Sequence, residues 1–122
     1  MRSLHLNKTT VVGVVRHAPR MDREGRVCHF VIETQSLDYT RADDTRHMSR
    51  VEEIPVRCHG KMTRWAIDNL REDEEVIVVG AIQTHRVKDA YGHTYRAFYI
   101  LSQYIRKLQS FNLSEKNGNS EN

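Results

Sequence analysis

Apolar and polar residues alternate with a two-residue period along the stretch VCHFVIET, which begins at Val27. Cys28, Phe30 and Ile32 share one set of positions, and His29 belongs to the other set. Successive side chains of a β-strand point to opposite faces, so this pattern is typical of a strand with one buried face. It predicts that the cysteine, phenylalanine and isoleucine face the core and that the histidine faces outward.

The stretch EIPVRCHG alternates in the same way and predicts a second strand of this kind. Val56 and Cys58 are expected to face the core, and Arg57 and His59 are expected on the outer face. Pro55 cannot donate a hydrogen bond to a neighbouring strand. Its position therefore predicts that this part of the strand lies on an edge or at a bulge.

Three further stretches resemble strands and one resembles a helix. The stretch TTVVGVVR is rich in β-branched residues, and Gly13 within it is an expected bulge or bend. The stretches EEVIVVGAIQTHR and TYRAFYILSQYI predict two more strands. Before these two strands, the stretch KMTRWAIDNL has apolar residues at helical spacing. It predicts one short amphipathic helix, with Trp65 packed in the core.

The predicted order is therefore β-β-β-α-β-β. Five strands, one short helix between the third and the fourth, and glycines where strands must bend indicate an all-β OB-fold barrel. A small open α+β sheet is the alternative. We expect this domain to occupy residues 1–108, with a long mobile loop over residues 36–49 and a disordered polar tail over residues 109–122.

Composition and charge favour a soluble domain with an anionic partner. Of the 122 residues, 29% are charged and 39% are hydrophobic, which is ordinary for one globular domain. The net charge is +3, and the acidic stretch DNLREDEE precedes a basic segment from Val76 to Ser110, so a polyanion suits the basic side. No stretch is long and apolar enough for a membrane. The expected location is the bacterial cytoplasm, with an organellar matrix as the alternative.

Neither a metal site nor an enzyme active site is expected. Each of the two cysteines is followed by a histidine, at positions 28–29 and 58–59. Adjacent residues on a strand point to opposite faces, so neither pair can close on one ion. The histidines accompany no nucleophile motif, and no glycine-rich phosphate loop follows a strand. We therefore expect reduced, buried thiols, no cofactor and a binding function.

The stretch THRVKDAYGHTYRAF predicts a basic hairpin with a turn at DAYG. Arg86 and Lys88 are two residues apart and share one side of the ribbon, while Arg96 returns on the partner strand. Tyr91 is the aromatic residue most expected to be exposed. Basic residues with a few aromatic rings on an OB barrel indicate a platform for single-stranded nucleic acid, because phosphates supply affinity and ring faces accept any base.

Several stretches in succession resemble the bacterial single-stranded-DNA-binding protein family. They are LNKTTVVGVVRHAPRM, EIPVRCHGKMTRWAIDNLREDEEVIVVGAIQTHR and the closing YRAFYI, and together they cover about residues 6 to 105. The resemblance implies an OB-fold homodimer that binds single-stranded DNA. The expected contacts with nucleic acid are Arg20, Arg57, His59, His85, Arg86, Lys88, Tyr91 and Arg96.

Within the family, HAP, CHFVIETQS, EIPVR and HRVK are most similar to the primosomal replication protein N group. That likeness implies an accessory role in replication restart, with a helicase or other replication proteins as partners. General single-strand binders carry large aromatic residues where this chain has Glu53, His59 and Val87, and they end in an acidic, phenylalanine-terminated tail that this chain lacks. The alternatives are a general single-stranded-DNA-binding protein, an OB-fold RNA-binding protein, and a structural subunit of a larger complex.

Overall fold

The computed structural model describes residues 4–37 and 49–108. Its elements are β1 (Thr9–Met21), β2 (Val27–Leu37), β3 (Ser49–His59), α1 (Lys61–Asn69), β4 (Glu75–Lys88) and β5 (Thr94–Lys107). The strands close into a barrel in the order β1-β2-β3-β5-β4. This confirms the five-stranded OB-fold barrel with one short helix between the third and fourth strands. The predicted tail and residues 38–48 of the predicted loop lie outside the described residues, whereas the ends of that loop belong to β2 and β3.

The barrel core has the side-chain alternation that the sequence predicts. The buried apolar side chains are Val11, Val15, Cys28, Phe30, Ile32, Val56, Cys58, Ala66, Leu70, Val76, Val78, Ile100 and Ile105. Cys28 lies opposite Cys58 in the β2–β3 pairing, and Phe30 lies opposite Val56. The inward set of both strands is therefore confirmed, and His29, Arg57 and His59 lie on the outer face as expected.

Strand β1 departs from the prediction in the position of its irregularities. Gly13 pairs regularly with Val76, and the register shifts come later, between Val15 and His17 and between His17 and Arg20. Of the predicted bulge or bend at Gly13, the bulge is therefore wrong, whereas the bend stays a prediction. A Cβ atom there would lie 2.5 Å from the carbonyl oxygen of Glu33, so the glycine permits a close approach of β1 and β2.

The helix packs across β1, β2 and β3 with a narrow buried face. Thr63, Ala66 and Leu70 are buried, and the Thr63 hydroxyl donates a hydrogen bond to the Cys58 carbonyl oxygen at 3.0 Å. Trp65 is 36% exposed, so the prediction that it packs in the core is wrong. The buried face includes Ala66, and the adjacent side chain projects about 100° away around the helix.

Beyond the barrel, β4 and β5 continue as a two-stranded ribbon, called here the arm and defined as residues 83–99. Their pairing runs out to Lys88 opposite Thr94. Strand β1 ends its pairing with β4 at Gly80, where Asn7 takes over: its side-chain amide both donates to and accepts from the backbone of Ile82. The described part of the chain contains no helix long and apolar enough to cross a membrane.

The turn at the tip of the arm is held by one side chain. A carboxylate oxygen of Asp89 accepts hydrogen bonds from the backbone amides of Tyr91 and His93, at 2.9 Å and 2.8 Å. Gly92 has a φ of 85°, a left-handed conformation that favours glycine. Tyr91 is 86% exposed, which confirms the expectation that this ring faces solvent.

Pro55 lies where β3 has a partner on one edge only. The residue pairs with Val31 of β2, whereas β3 pairs with β5 only at Val56 and Arg57. The missing amide donor of the proline therefore interrupts no ladder of hydrogen bonds on the second edge. The edge position predicted from the sequence is confirmed.

Candidate nucleic-acid interface

A row of basic residues crosses the outer face of β1, β2 and β3. Arg20 lies opposite His29 in the β1–β2 pairing, and His29 lies opposite Arg57 in the β2–β3 pairing. Arg20 and His29 are exposed and Arg57 is half-buried. These positions are outward because the alternation that buries Cys28 and Phe30 turns their neighbours to the opposite face.

This row forms part of an open groove with a volume of about 740 Å³. The groove is lined by His17, Ala18, Pro19, Arg20, His29, Phe30, Val31, Pro55, Val56, Arg57, Glu72, His85, Phe98 and Tyr99. The shifted register of β1 brings its residues 17–20 over the outer face of β2, which makes one wall. The base of the arm makes the other wall, so the groove lies between the barrel and the arm.

Arg57 and Tyr99 form the central contact of the groove. The guanidinium carbon of Arg57 lies 3.9 Å from the centre of the Tyr99 ring, which is the geometry of a cation–π contact. The Tyr99 hydroxyl donates a hydrogen bond to the side-chain oxygen of Gln83 at 2.7 Å, which holds the ring in place. The two strands meet here in parallel, with Arg57 opposite Leu101. A fixed arginine plane on a ring suits a phosphate or a base.

His85 extends this aromatic surface towards the arm. Its ring centre lies 5.5 Å from that of Tyr99, at an interplanar angle of 48°. The Nδ1 atom of His85 is buried, and no atom in the described part of the chain accepts from it or donates to it. A buried polar atom without a partner is uncommon and costs free energy, so this wall of the groove retains an unused hydrogen-bonding group.

The surroundings of His29 in this row change the pKa of its imidazole. Burial lowers the pKa of His29 below its ordinary value, and the positive charge of Arg57 lowers it further. His59 acts in the same direction, whereas the carboxylate of Asp22 opposes the change. The neutral imidazole is therefore favoured in the protein alone. A phosphate placed beside it would favour the protonated form.

The arm has a second basic face, opposite to the one that carries His85 and Tyr99, and its inner end includes Phe98, which also lines the groove. Arg86 lies directly opposite Arg96, and Lys88 lies one pair of residues further out, opposite Thr94. Side chains alternate along each strand, so His85 and Tyr99 project from the other side of the ribbon. The Arg96 guanidinium donates to the Thr84 hydroxyl at 2.9 Å, which orients it along this face.

The eight residues predicted to contact nucleic acid therefore fall into separate groups. Arg20, Arg57 and His85 line the groove, and His59 is exposed beside it on the outer face of β3. Arg86, Lys88 and Arg96 share the second face of the arm. Tyr91 stands alone at the tip. The pairing of Arg86 and Lys88 on one side, with Arg96 returning on the partner strand, agrees with the sequence prediction.

Acidic residues occupy the far end of the outer face. Glu33 lies opposite Glu53, four residue pairs away from His29 and Arg57. Arg16 lies near both carboxylates, with nitrogen–oxygen distances of 3.5 Å and 3.9 Å. The outer face is therefore basic where the groove lies and acidic towards the loop between β2 and β3.

Comparison with known proteins identifies the family of this chain. The model of the single-strand binding protein family matches residues 6–108, which is most of the chain. The chain belongs to the single-strand binding protein family. No curated protein sequence matches it.

Solved structures of single-strand binding proteins share its fold. The structure of Plasmodium falciparum SSB in complex with ssDNA covers 89% of this chain and 100% of that chain, with a TM-score of 0.73 and 20% sequence identity. The small single-stranded DNA-binding protein from Streptomyces coelicolor covers 88% of this chain and 95% of that chain, with a TM-score of 0.63 and 16% identity. At these identities the likeness concerns the fold.

The groove of this single-strand binding protein includes residues that the sequence did not single out as contacts. Tyr99 and His29 are the main ones, and His17 lies beside them. The alternation of β2 placed His29 on the outer face, which was a usable signal. Tyr99 offered none, because its place beneath Arg57 depends on the parallel contact between β3 and β5, and these strands are distant in sequence.

The two Cys-His pairs of this family member do not assemble a metal site. Cys28 and Cys58 are buried opposite each other, while the neighbouring His29 and His59 are exposed on the outer face. A hydrogen bond with Cys58, together with burial, raises the pKa of the Cys28 thiol. Across residues 4–37 and 49–108, no three histidine, cysteine or acidic side chains are grouped to hold a metal ion.

Proposed function

We propose that this protein binds single-stranded DNA as an accessory factor of DNA replication and replication restart, of the primosomal type. The observation that carries the proposal is the basic row of Arg20, His29 and Arg57, with Arg57 stacked on Tyr99 in the groove. Membership of the single-strand binding protein family supports a binding function rather than catalysis.

The groove suits a flexible, unpaired strand. Arg20 and Arg57 supply positive charge for the phosphates, and the Tyr99 and His85 rings offer surfaces on which bases can stack. Stacking of this kind accepts every base, and phosphate contacts carry no sequence information. The binding we propose is therefore insensitive to sequence and sensitive to salt.

The accessory role is supported by the acidic end of the outer face. Glu33 and Glu53 repel phosphates from the part of β2 and β3 beyond the groove. The groove then holds a short segment, which suits a loading factor better than a protein that coats long strands. A homodimer, and contacts with a helicase or other replication proteins, belong to this proposal through the likeness to the primosomal group.

The same acidic end favours one other candidate function. An OB barrel whose β surface contacts protein would be a structural subunit of a larger assembly, and paired carboxylates at Glu33 and Glu53 fit a protein partner better than a polyanion. This candidate requires no affinity for nucleic acid. Binding measurements therefore separate it from the main proposal.

Titrations with labelled oligonucleotides test the proposed function. The full chain is mixed with oligo-dT, oligo-rU and a DNA duplex at two salt concentrations, and anisotropy reports binding. We expect the tightest binding to oligo-dT, with a dissociation constant that rises as salt is raised. Tighter binding to oligo-rU would identify an RNA-binding protein instead. Absence of binding to all three would contradict the proposal and favour the structural subunit.

A further inference from the structure

The outer edge of β4 is open along the arm. Strand β1 pairs with β4 as far as Gly80, and beyond Ile82 no described residue bonds to the backbone of β4 on this side. The unpaired edge, called here the β4 edge, comprises Thr84, Arg86 and Lys88. An open edge of a sheet presents a row of backbone donors and acceptors with which another extended chain can pair.

Asn7 shows which backbone groups point outward at this edge. Its side-chain nitrogen donates to the Ile82 carbonyl oxygen at 2.7 Å, and its side-chain oxygen accepts from the Ile82 amide at 3.0 Å. A residue of a paired antiparallel strand makes these same two bonds. The direction of the backbone groups alternates along a strand, so those of the β4 edge also point outward. The Asp89 amide, one residue beyond Lys88, bonds inward to the His93 carbonyl oxygen at 2.9 Å, as this alternation requires.

The long side chains of the β4 edge are basic. Arg86 and Lys88 are exposed, and neither forms an ion pair with a carboxylate in the part of the chain that the structure describes. Arg86 also lies directly opposite Arg96, and like charges placed in this way repel each other. An acidic side chain on an added strand opposite Arg86 would offset that repulsion.

The same charges oppose pairing between two copies of this edge. If two β4 edges paired with each other, the arginine and lysine side chains of both copies would lie close together across the ladder. Basic side chains at an open edge are a common means by which proteins prevent such self-pairing. An acidic strand from another protein gains favourable charge pairs at the same positions, so the charge selects that partner.

The opposite face of the arm determines which residues suit the positions between the acids. Val87 projects from that face and lies opposite Tyr95, whose ring is 52% exposed. A β-branched residue of an added strand would pack against this apolar pair. The β4 edge therefore fits an extended segment in which acidic and β-branched residues alternate.

We propose that the β4 edge binds an extended segment of a partner protein by strand addition, with acidic residues of that segment opposite Arg86 and Lys88. Backbone hydrogen bonds supply the affinity of such a contact, and the alternate side chains supply its selectivity. Nucleic acid has no peptide backbone and cannot make this pairing. The contact requires no bound strand of DNA and is therefore independent of the proposed function.

A synthetic peptide of about six residues, in which glutamate and valine alternate, tests the inference. Fluorescence anisotropy of the labelled peptide gives its dissociation constant for the full chain. Amide hydrogen exchange of the full chain is then followed by NMR with the peptide at saturation. The amides of Thr84 and Arg86 should exchange at least about five-fold more slowly, because they gain hydrogen-bond partners. The amide of Val87, which points to β5, should change little.

Two control peptides separate backbone pairing from charge. The first carries a methyl group on each backbone nitrogen that faces β4, so it keeps its charge and loses its pairing. It should bind at least about ten-fold more weakly. The second has glutamine in place of glutamate, so it keeps its pairing and loses its charge, and it should also bind more weakly. Undiminished binding of either control peptide would overturn the inference.

Substitutions at one position of the chain give a matched pair of variants. Thr84→Pro removes an outward amide and leaves the inward pairing of β4 with β5 intact, so it should weaken peptide binding by about ten-fold. Thr84→Ala removes the same hydroxyl but keeps the amide, and it should bind the peptide as the wild type does. Circular dichroism checks the fold of both variants. If Thr84→Pro does not fold, the methylated peptide makes the same test on the wild type.

The other possible occupants of the edge are outcomes of the same measurements. Absence of peptide binding, or binding that leaves exchange at Thr84 and Arg86 unchanged, would overturn the inference and leave the proposed function standing. Slower exchange of these amides with oligo-dT in place of the peptide would overturn it in favour of nucleic acid. A wild-type dimer that Thr84→Pro converts to a monomer, while Thr84→Ala does not, would overturn it in favour of an interface between copies.

Discussion

We expect the arginine at position 57 to act through its stacking as much as through its charge. The ring of Tyr99 lies 3.9 Å below the guanidinium carbon, and the hydrogen bond of Tyr99 to Gln83 holds that ring still. A side chain fixed in this way loses little freedom when it binds a phosphate, whereas a mobile lysine must be ordered first. The groove thus contains a pre-organised positive charge.

Replacement of this arginine separates the two contributions. Arg57→Ala should weaken binding to oligo-dT by roughly five- to thirty-fold, for a loss of about 1–2 kcal/mol, and lower the salt slope by about 0.7. Arg57→Lys should weaken binding with little change in the salt slope, because lysine keeps the positive charge but lacks the planar guanidinium that stacks on Tyr99. Arg64→Ala, at an exposed position of α1 outside the groove, is the control for charge. An unchanged affinity in Arg57→Ala would exclude the groove as the site.

We expect His29 to make binding depend on pH. Its pKa is lowered in the free protein, chiefly by burial and by Arg57, and a bound phosphate favours protonation, so the pKa of the complex is higher. Affinity therefore rises as pH falls from the pKa of the complex to the pKa of the free protein, and the contribution of His29 is constant outside that window. The charged and titratable groups around the ring come from β1, the β1–β2 turn and β3. They are Arg20, Asp22, Arg57 and His59.

The measurement is the dissociation constant for oligo-dT between about pH 5 and pH 8. The variant His29→Gln keeps a polar side chain that cannot take up a proton, so its affinity should rise less steeply towards low pH than that of the wild type. Every other histidine is retained in this variant. Parallel pH profiles for the two proteins would show that no phosphate lies beside His29.

Among the elements, β4 depends on a close approach to β5 at Gly80. A Cβ atom at this position would collide with the carbonyl oxygen of Leu101, and the register shifts here so that Gln103 is left without a partner. Gly80→Ala should lower the free energy of unfolding by roughly 1–3 kcal/mol, because β4 must move away from β5. Gln103→Ala, at the exposed bulge, should change it by less than about 0.5 kcal/mol. Equal unfolding midpoints in urea for Gly80→Ala and the wild type would contradict this account of the glycine.

The elements differ in how far the sequence determines them. The cores of β2 and β3 could be predicted because alternation depends on neighbours within one strand. The end of β1 could not, because residues 17–21 are held by pairing with β2 after two register shifts, and only Pro19, within the second shift, is a local sign of an irregularity. The two basic surfaces were predicted as one site, because the sequence gives the spacing of charges along a strand but not the register that places Tyr99 under Arg57. The burial of Trp65 was predicted wrongly, because the spacing of apolar residues along a helix is compatible with more than one orientation of that helix on the barrel.

At the scale of the whole molecule, the barrel carries an apolar surface on the side away from the groove. Val12 lies opposite Ile77, and Val79 lies opposite Tyr104, all on the outer face of β1, β4 and β5. Val12 and Tyr104 are about half exposed. Contiguous apolar surface of this kind is typical of an interface, and a symmetric pair of barrels would cover it while both grooves remain open.

Sedimentation of the full chain should therefore give the mass of a dimer at a concentration on the order of 10 µM. Val12→Glu should give a monomer with an unchanged circular dichroism spectrum, since the residue is exposed in one barrel and a buried carboxylate opposes association. Gln35→Glu, exposed on β2 and outside this surface, serves as the control for added charge. A wild-type protein that sediments as a monomer would contradict the dimer.

The position of Trp65 has an optical consequence. It is the single tryptophan of the chain, and it lies part-exposed on α1, neither in the groove nor on the arm. With the bases of a bound strand stacked on Tyr99 and His85, as proposed, we expect no quenching of the indole emission by that strand. It responds instead to the docking of α1 on the barrel. The intrinsic tryptophan fluorescence of this protein should therefore report unfolding alone, even when the nucleic acid is present at saturating concentration.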